Sequence, residues 1–393
     1  MGLYSGSAVE RAMKFQEVIL RAMAGEINWI QAAHILGITD RHMRRVKKKY
    51  EEEGYDGLLD RRRQRPSPKR APFKEVERIL RLYRTKYFDY NMKHFHETIE
   101  RDHGVTLSYS FVKKALQEAG LVKKRKPRGK HRKRREPRAC FGELVHIDGS
   151  IHPWLSLEPD QKQVLICLQD DATKQLFYAQ LWPEETSEAV LSALWDVVER
   201  YGLFMALYSD RAGWAFHTPS AGGKVDRKNL TQVGKALEKA GIEHIPSYSP
   251  EARGRIERLN RTLQDRLIGE LRVAGITERE SANRYLREVF IPRYNKRFTR
   301  TARDQASAFV GYGNADLNQV FCFEEERTVA KDNTVRFQNV ILQIEKQPGV
   351  PSCAGWHVVV RRHLDGRFSI WKGPRLLGRF EQDGTASDRR KVA

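Results

Sequence analysis

Two hydrophobic rhythms divide the chain. Up to about residue 122, apolar positions recur three and four apart, the spacing of helices. From about residue 142 they form short runs bounded by turns, the spacing of strands mixed with helices. Ala12, Phe15, Val18, Ile19 and Ala22 predict a first helix, which Gly25 can end. Asn28 can cap a second helix with Ile30, Ala33 and Leu36 on its inner face, and Gly37 permits a tight turn after it. Thr39 or Asp40 then caps a third helix, held down by Ile38, Met43 and Val46. Its outer face carries Arg41, His42, Arg44, Arg45, Lys47, Lys48 and Lys49. Residues 8–53 thus follow helix-turn-helix grammar. A small residue lets two helices approach, a glycine turns the chain, and a basic helix is left free to enter a major groove. An ordinary three-helix bundle with a basic face is the plainer alternative.

A Gly/Pro/Arg-rich connector, Gly54–Pro72, leads to a second helical unit over residues 74–122. Helices are expected at about 74–86, 91–102 and 108–119, with turns at Asp89 and Gly104 and a cap at Ser108. Phe111, Val112, Ala115 and Leu116 form the inner face of the last, and Lys113 and Lys114 point outward. This is a looser second helix-turn-helix. His94 and His96 are read as surface or packing residues, because no cysteine pair follows them to complete a zinc site. Residues 123–138 form a basic linker, interrupted by Pro127, Gly129 and Pro137.

Beyond residue 139 the pattern reads as strands at Gly142–Ile147, Gln163–Asp170 and Leu176–Leu181, then a helix at Ser187–Tyr201. A fourth strand, Phe204–Tyr208, a helix at Leu230–Ala240, a short strand at Ile242–Ile245 and a long helix at Arg255–Leu271 follow, with more helix near 278–298. The order βββαβαβα fits a mixed sheet covered by helices, as in the ribonuclease-H-like fold, over residues 139–300. Residues 320–380 are turn-rich, with candidate strands at Asn333–Ile344, Trp356–Arg361, Phe368–Trp371 and Leu376–Phe380, and suggest a small β-barrel. The whole is expected to be multidomain: all-α helix-turn-helix units, a central α/β core and a C-terminal barrel.

Charge sharpens this picture. The 393 residues carry 71 Lys+Arg against 50 Asp+Glu, a formal net charge of +21. Residues 1–122 hold 24 basic and 16 acidic side chains, and residues 123–138 hold 11 basic and one acidic. The excess at one end attracts a polyanion, and nucleic acid is the expected one. Lys124, Arg125, Arg132, Lys133 and Arg134 would lie along its backbone, although a solvated linker or localisation tag also fits such a run. With 40 % hydrophobic residues the chain can bury more than one core. No run approaches the roughly 20 apolar residues of a membrane span, and the N-terminus has no apolar signal run. Four scattered cysteines argue for reduced thiols. The chain is expected to be cytoplasmic, with no membrane partner.

Three acids stand at element boundaries: Asp148 in His146-Ile147-Asp148-Gly149, Asp210 in Tyr208-Ser209-Asp210-Arg211, and Glu257 early in the long helix. In a fold whose first and fourth strands are neighbours, Asp148 and Asp210 approach each other. Like charges that close need a cation, and carboxylate oxygens suit Mg²⁺ or Mn²⁺. Two such ions can activate a hydroxyl and stabilise the leaving oxygen of a phosphodiester. Glu257, Asn260, Arg261 and Gln264 share a helix face, which offers one ligand and several phosphate or base contacts. The plainer reading makes these acids turn caps and surface charges. Asp170 and Asp171 fit a hairpin turn and are read as structural.

Ile147-Asp148-Gly149, Tyr208-Ser209-Asp210-Arg211 and Ser249-Pro250-Glu251-Ala252-Arg253-Gly254-Arg255-Ile256-Glu257-Arg258-Leu259-Asn260-Arg261-Thr262-Leu263-Gln264 resemble the signature blocks of insertion-sequence transposases with a retroviral-integrase-like DDE core. The overall organisation is similar to the ISNCY group of bacterial transposases. The resemblance implies that Asp148, Asp210 and Glu257 are the catalytic, metal-binding triad, with two Mg²⁺ or Mn²⁺ ions. Glu251 competes for the third place, but Glu257 stands three before the Asn, as in the family. It further implies a DNA transposase that binds terminal inverted repeats, cuts at the 3′ ends and joins them to target double-stranded DNA. Arg211, Arg255 and Arg258 would hold phosphates, and two ends would require a dimer or larger assembly. An inactive, domesticated DNA-bound regulator and a plain ribonuclease-H-like nuclease are the rival readings. The wide gap between Asp210 and Glu257 departs from the family. It is expected to hold a surface loop at Gly213–Asn229 that contacts DNA through Lys224, Arg227 and Lys228.

Overall fold

In a computed structural model, which describes residues 6–59, 71–124, 136–158, 160, 162–219, 223–248 and 254–387, the chain divides into two units, Met1–Arg78 and Ile79–Ala393. The first unit contains α1 (Gly6–Met23), α2 (Trp29–Leu36) and α3 (Asp40–Glu53). Asn28 caps α2 with a reciprocal capping box to Gln31, and Gly37 ends it in the left-handed region at φ 63°. The Thr39 side chain caps α3. Val18, Ile19, Ala22, Ala32, Ala33, Met43 and Val46 form the core. Ile30 was expected inside but is 68 % exposed. The buried stripe runs through Trp29, Ala32, Ala33 and Leu36, and at 3.6 residues per turn Ile30 lies about 100° round from it.

Helix α4 (Phe73–Thr85) runs into the second unit, where α5 (Met92–His103) and α6 (Tyr109–Glu118) follow. Ile79, Phe95, Ile99, Val112 and Leu116 form their core, whereas Phe111, expected on the inner face, is 39 % exposed. The central sheet has five strands in the order β3-β2-β1-β4-β5. These are β1 (Val145–His152), β2 (Gln163–Asp170), β3 (Leu176–Trp182), β4 (Ala206–Ser209) and β5 (Glu243–Pro246). The first three are antiparallel, and β4 and β5 run parallel to β1. Helices α7 (Ser187–Tyr201) and α8 (Gln232–Ala240) cover one face through Val145, Ile147, Leu194, Val198 and Leu237. The other face packs Leu165, Cys167 and Leu181 against α9 (Ile256–Val273), α10 (Arg279–Tyr285) and α11 (Ile291–Phe298). It is a mixed sheet with helices on both faces.

Side-chain amides close the edge of this sheet, a device invisible in the hydrophobic pattern. Asn283 donates to the Leu181 carbonyl and accepts from the Leu181 amide, and Asn295 does the same at Leu176. The outer backbone groups of Leu176 and Leu181 on β3 are thus paired from α11 and α10, which blunts that edge.

The small helical unit does not stand apart from the core. Gly269 of α9 lies so close to Tyr90 that a Cβ there would come within 2.6 Å of the ring. Asp89 pairs with Arg272, and Glu97 with both Arg266 and Arg297. At the centre, His94 Nε2 lies 2.9 Å from Glu270 Oε1, and the Tyr285 hydroxyl donates to Glu270 Oε2 at 2.8 Å. Burial alone would raise the Glu270 pKa, but the His94 and Tyr285 hydrogen bonds and Arg101 hold it down. Glu270→Ala therefore leaves a buried imidazole and a phenol without their acceptor. It should cost about 3 kcal/mol of stability, read by urea unfolding. A loss within 0.5 kcal/mol, taken as roughly the background of a surface substitution, would show that the contact does not hold the unit in place.

Strands β6 (Phe323–Thr328), β9 (His357–Arg362), β10 (Phe368–Lys372) and β11 (Arg375–Phe380) form an open antiparallel sheet in the order β11-β10-β9-β6. The short helix α12 (Leu317–Val320) precedes it. The expected closed barrel is not formed among the described residues. The predicted strand Asn333–Ile344 breaks at Gln338, whose φ is 51°, into a separate hairpin of β7 (Thr334–Phe337) and β8 (Val340–Gln343). That hairpin packs Val335, Phe337 and Leu342 onto the sheet instead of bridging its edges. Strand β6 was not foreseen, because Glu324-Glu325-Glu326 hides its pattern. Its Glu324 carboxylate pairs with Arg361 and Lys239, and Gln232 of α8 bonds both the amide and the carbonyl of Glu324.

Candidate active site

Alternation along β1 sends Val145 and Ile147 to the α7 side and His146, Asp148 and Ser150 to the α9 side. The strand was expected to end at Asp148. It continues to His152, because Gly149–His152 keep their pairing with β2. On the other flank β1 pairs with β4 only at Val145↔Leu207 and His146↔Tyr208. Asp148 and Asp210 each stand two residues beyond the last pair, where β4 has left the sheet. Asp148, on β1, and Asp210, just after β4, therefore lie at the same offset from the last pair of two parallel strands. Asp148 is 7 % exposed and Asp210 is half-buried, with its Oδ1 accepting from the Ala212 amide at 3.0 Å.

Helix α9 lies along this polar stripe. Asn260 donates to Asp148 Oδ2 at 2.7 Å, and one turn further Gln264 donates to Ser150 Oγ at 3.2 Å. Glu257, one turn before Asn260 on the same face, is exposed. Among the described residues no group of three or more His, Cys, Asp or Glu side chains is set to hold a metal ion. The fold thus sets Asp148 and Asp210 just past the paired stretch of two neighbouring strands and joins the Glu257 helix to Asp148 through Asn260. It does not gather the three carboxylates into one cluster. Donor chemistry near Asp148 is oxygen-based. Cys167, its partner on β2, is fully buried, and burial first, then the Asp148 charge, push its thiol pKa well up. Oxygen donors fit a hard divalent cation.

Beneath the acids lies a buried charged centre. Asp171 is fully buried, with Oδ1 2.8 Å from His146 Nε2 and 2.8 Å from Arg255 Nε, and Oδ2 accepting from the Arg138 amide at 2.7 Å. Burial alone would raise its pKa, but His146, the Arg138 amide and Arg255 bring it down to about 2. Arg255 was expected to hold phosphate. It is 8 % exposed and lies against Asp171 instead. Arg211 bonds the Gly223 carbonyl at 2.7 Å and lies over the Tyr248 ring. Arg258 and Arg261 are exposed on α9.

Glu185, overlooked in the sequence, faces Gly149 from the opposite side. A Cβ at Gly149 would meet its carboxyl at 2.6 Å, and Glu185 Oε1 accepts from Trp214 Nε1 at 2.8 Å. The available signal was a glycine directly after Asp148. Residues Gly213–Asn229 were expected to form a surface loop, but Trp214, Ala215 and Val225 are buried there. Large apolar side chains in that stretch were the missed sign. Lys224, Arg227 and Lys228 remain exposed.

His244 links this region to pH. Its Nε2 lies 2.9 Å from Ser209 Oγ, beside Asp210, and its ring stacks on Phe216. Burial lowers its pKa to about 4. A histidine depressed on folding contributes stability that is complete above about pH 6.5 and lost as pH falls toward 4. Unfolding free energy should drop by roughly 2 kcal/mol between pH 7 and 4.5 on this account, and His244→Gln should flatten that slope. An unchanged slope in the variant would remove His244 from the explanation.

Of the basic residues marked for DNA, Arg41, Arg44, Arg45 and Lys48 are exposed on α3, and Lys113 and Lys114 on α6. Lys124 is exposed, whereas Arg125, Arg132, Lys133 and Arg134 lie outside the described residues, as does Glu251. No helix among the described residues is long and apolar enough to cross a membrane.

A helix-turn-helix domain family matches residues 16–67, and a homeodomain-like domain family matches residues 43–116. Among solved structures, a simian T-cell lymphotropic virus intasome in complex with a PP2A regulatory subunit aligns at 12 % identity. It covers 79 % of this chain and all of that chain, with a TM-score of 0.32. The HTLV-2 integrase catalytic core domain in complex with magnesium aligns at 15 % identity over 38 % of this chain and 89 % of that chain, with a TM-score of 0.28. Overlays this loose establish no shared fold. Sequence relatives are more decisive. A transposase for insertion sequence IS1202 of Streptococcus pneumoniae is 27 % identical over 82 % of this chain and 76 % of its own length. A Sinorhizobium fredii (strain NGR234) relative named as a transposase, y4bF, is 31 % identical over 98 % of this chain and 83 % of its own length. With that identity along nearly its whole length, the chain belongs to the family of insertion-sequence transposases.

Proposed function

We propose that this transposase binds the terminal inverted repeats of its element, cuts the 3′ ends and joins them to target DNA. The observation that carries the reading is the pairing of β1 with β4, which leaves Asp148 and Asp210 each two residues past the last pair, with the Glu257 helix tied to Asp148 through Asn260. Asp148, Asp210 and Glu257 would hold two Mg²⁺ or Mn²⁺ ions. Once bound, the ions supply an activated water or 3′-hydroxyl and stabilise the leaving oxygen. Asn260 orients the Asp148 carboxylate, and burial of that carboxylate limits its rotation. Arg258 and Arg261, exposed on the same helix, would hold the scissile strand, with Arg211 beside Asp210.

Division of labour follows. Residues 8–53 and 74–122 read the end sequence, 123–138 track the backbone, 139–300 carry the chemistry, and 320–380 hold DNA or a second subunit. Two ends joined in concert imply a dimer or larger assembly on DNA. The test is incubation of the full chain with fragments bearing the inverted repeats that flank its gene. Nicking confined to the 3′ ends, followed by joining, is expected in Mg²⁺ or Mn²⁺. Tight end binding with no nicking in either ion would favour a DNA-bound regulator instead, and cleavage without regard to the ends a plain nuclease.

A further inference from the structure

Two residues before each acid of the proposed site stands a different polar side chain: His146 before Asp148, Tyr208 before Asp210 and Arg255 before Glu257. On β1, His146 and Asp148, two apart, face the same way, whereas Arg255 and Glu257 stand at a helix start and do not. His146 and Tyr208 are a register pair on β1 and β4, and their rings meet edge to face with centroids 5.2 Å apart. The His146 imidazole then reaches Asp171, and the same carboxylate oxygen reaches Arg255 at the start of α9. Arg255 also donates from Nη1 to the Asp171 backbone carbonyl at 3.2 Å, so its hold is on both side chain and main chain. Asp171 in turn is fixed beside the start of β1, its amide donating to the carbonyl of Leu144, the residue before that strand. The acids come from three separate stretches of chain, and one buried carboxylate bonds the stretch that carries Asp148 to the stretch that carries Glu257.

We infer that Asp171 is a positioning residue of the site, which sets the start of the Glu257 helix against the strand that carries Asp148 by holding His146 and Arg255 on a single carboxylate. The inference rests on the reading of Asp148, Asp210 and Glu257 as metal ligands. Asp171 touches no substrate in this scheme. It acts through the spacing of two backbone segments, and that spacing matters because Mg²⁺ and Mn²⁺ sites tolerate little displacement of their oxygens. Residues that orient metal ligands typically change metal affinity 10- to 100-fold when altered.

The test is Mn²⁺ titration of the full-length chain by calorimetry, with binding to end DNA measured in parallel without metal. Asp171→Asn keeps the shape and removes the charge that Arg255 needs. It should weaken Mn²⁺ binding by about 10-fold or more and leave end-DNA binding unchanged. Mn²⁺ affinity within twofold of wild type in a cooperatively melting variant overturns the inference. Should Asp171→Asn fail to melt cooperatively, Arg255→Lys takes its place under the same two criteria, since it keeps the charge but cannot make both contacts. Asp148→Asn is titrated alongside. Unchanged Mn²⁺ affinity in Asp148→Asn fails the acidic-site reading itself. A loss there with wild-type affinity in Asp171→Asn fails only the positioning role.

Discussion

Asp148→Asn and Asp210→Asn are each expected to lower 3′-end cleavage and strand transfer by about 10³-fold or more, with end-DNA binding unchanged. The substitutions are close to isosteric, so the fold should survive them. An asparagine at 148 still offers an oxygen to the Asn260 amide, which donates to Asp148 Oδ2 at 2.7 Å. What is lost is one negative charge of the proposed metal-binding pair. Groups that act as one unit do not lose activity additively. The double substitution should therefore be no worse than either single one, within about threefold, rather than the roughly 10⁶-fold that independent losses would multiply to. Single-turnover nicking of labelled end DNA measures both. Activity within tenfold of wild type in either single variant would remove that aspartate from the chemistry.

The parts of this site that were legible in the sequence are those fixed locally. Asn28, Gly37, Thr39 and Ser108 act where the sequence places them, because a cap or a tight turn depends on only a few neighbouring residues. The neighbourhood of Asp148 and Asp210 was legible because the run of strands and helices restricts the sheet to few orders. Contacts made across long separations were not. Nothing near Asp171 marks it as the partner of Arg255, 84 residues away. Arg255 looked like a phosphate ligand because the surrounding block is rich in arginine, and burial, which decides its role, is a property of the folded chain. The amides of Asn283 and Asn295 sit in polar helices and gave no sign that they close a strand edge over 100 residues distant. Strand β6 and the β7–β8 hairpin escaped for a different reason. Charged residues on a strand and a single positive φ at Gln338 break the alternation on which strand assignment depends.

Removing Arg41, Arg44, Arg45 and Lys48 together should reduce DNA affinity by roughly 10³-fold near 0.1 M salt. These four recur at one-turn spacing on α3, and all are exposed. Each cation that neutralises a phosphate steepens the dependence of log K on log salt by about 0.9, so the slope should fall by about three to four units. Alanine is the best helix former and the buried Met43 and Val46 are untouched, so α3 should keep its place. Lys47 provides the internal comparison. Lys47 and Lys48 each lie 3.7 Å from a glutamate one turn on, but only the Lys47 ammonium also sits over a ring, 4.5 Å from the Trp29 centroid, so its charge is the one engaged within the unit. Lys47→Ala should change affinity by less than about threefold, little more than the weight of one exposed ion pair. Anisotropy titrations from 50 to 200 mM salt, a range across which phosphate contacts show large effects, separate the two outcomes. If the quadruple variant keeps the wild-type slope, α3 does not face the phosphates. If it loses the slope equally on end and unrelated DNA, these residues hold the backbone. A larger loss on end DNA alone would place at least one arginine against a base edge in the major groove.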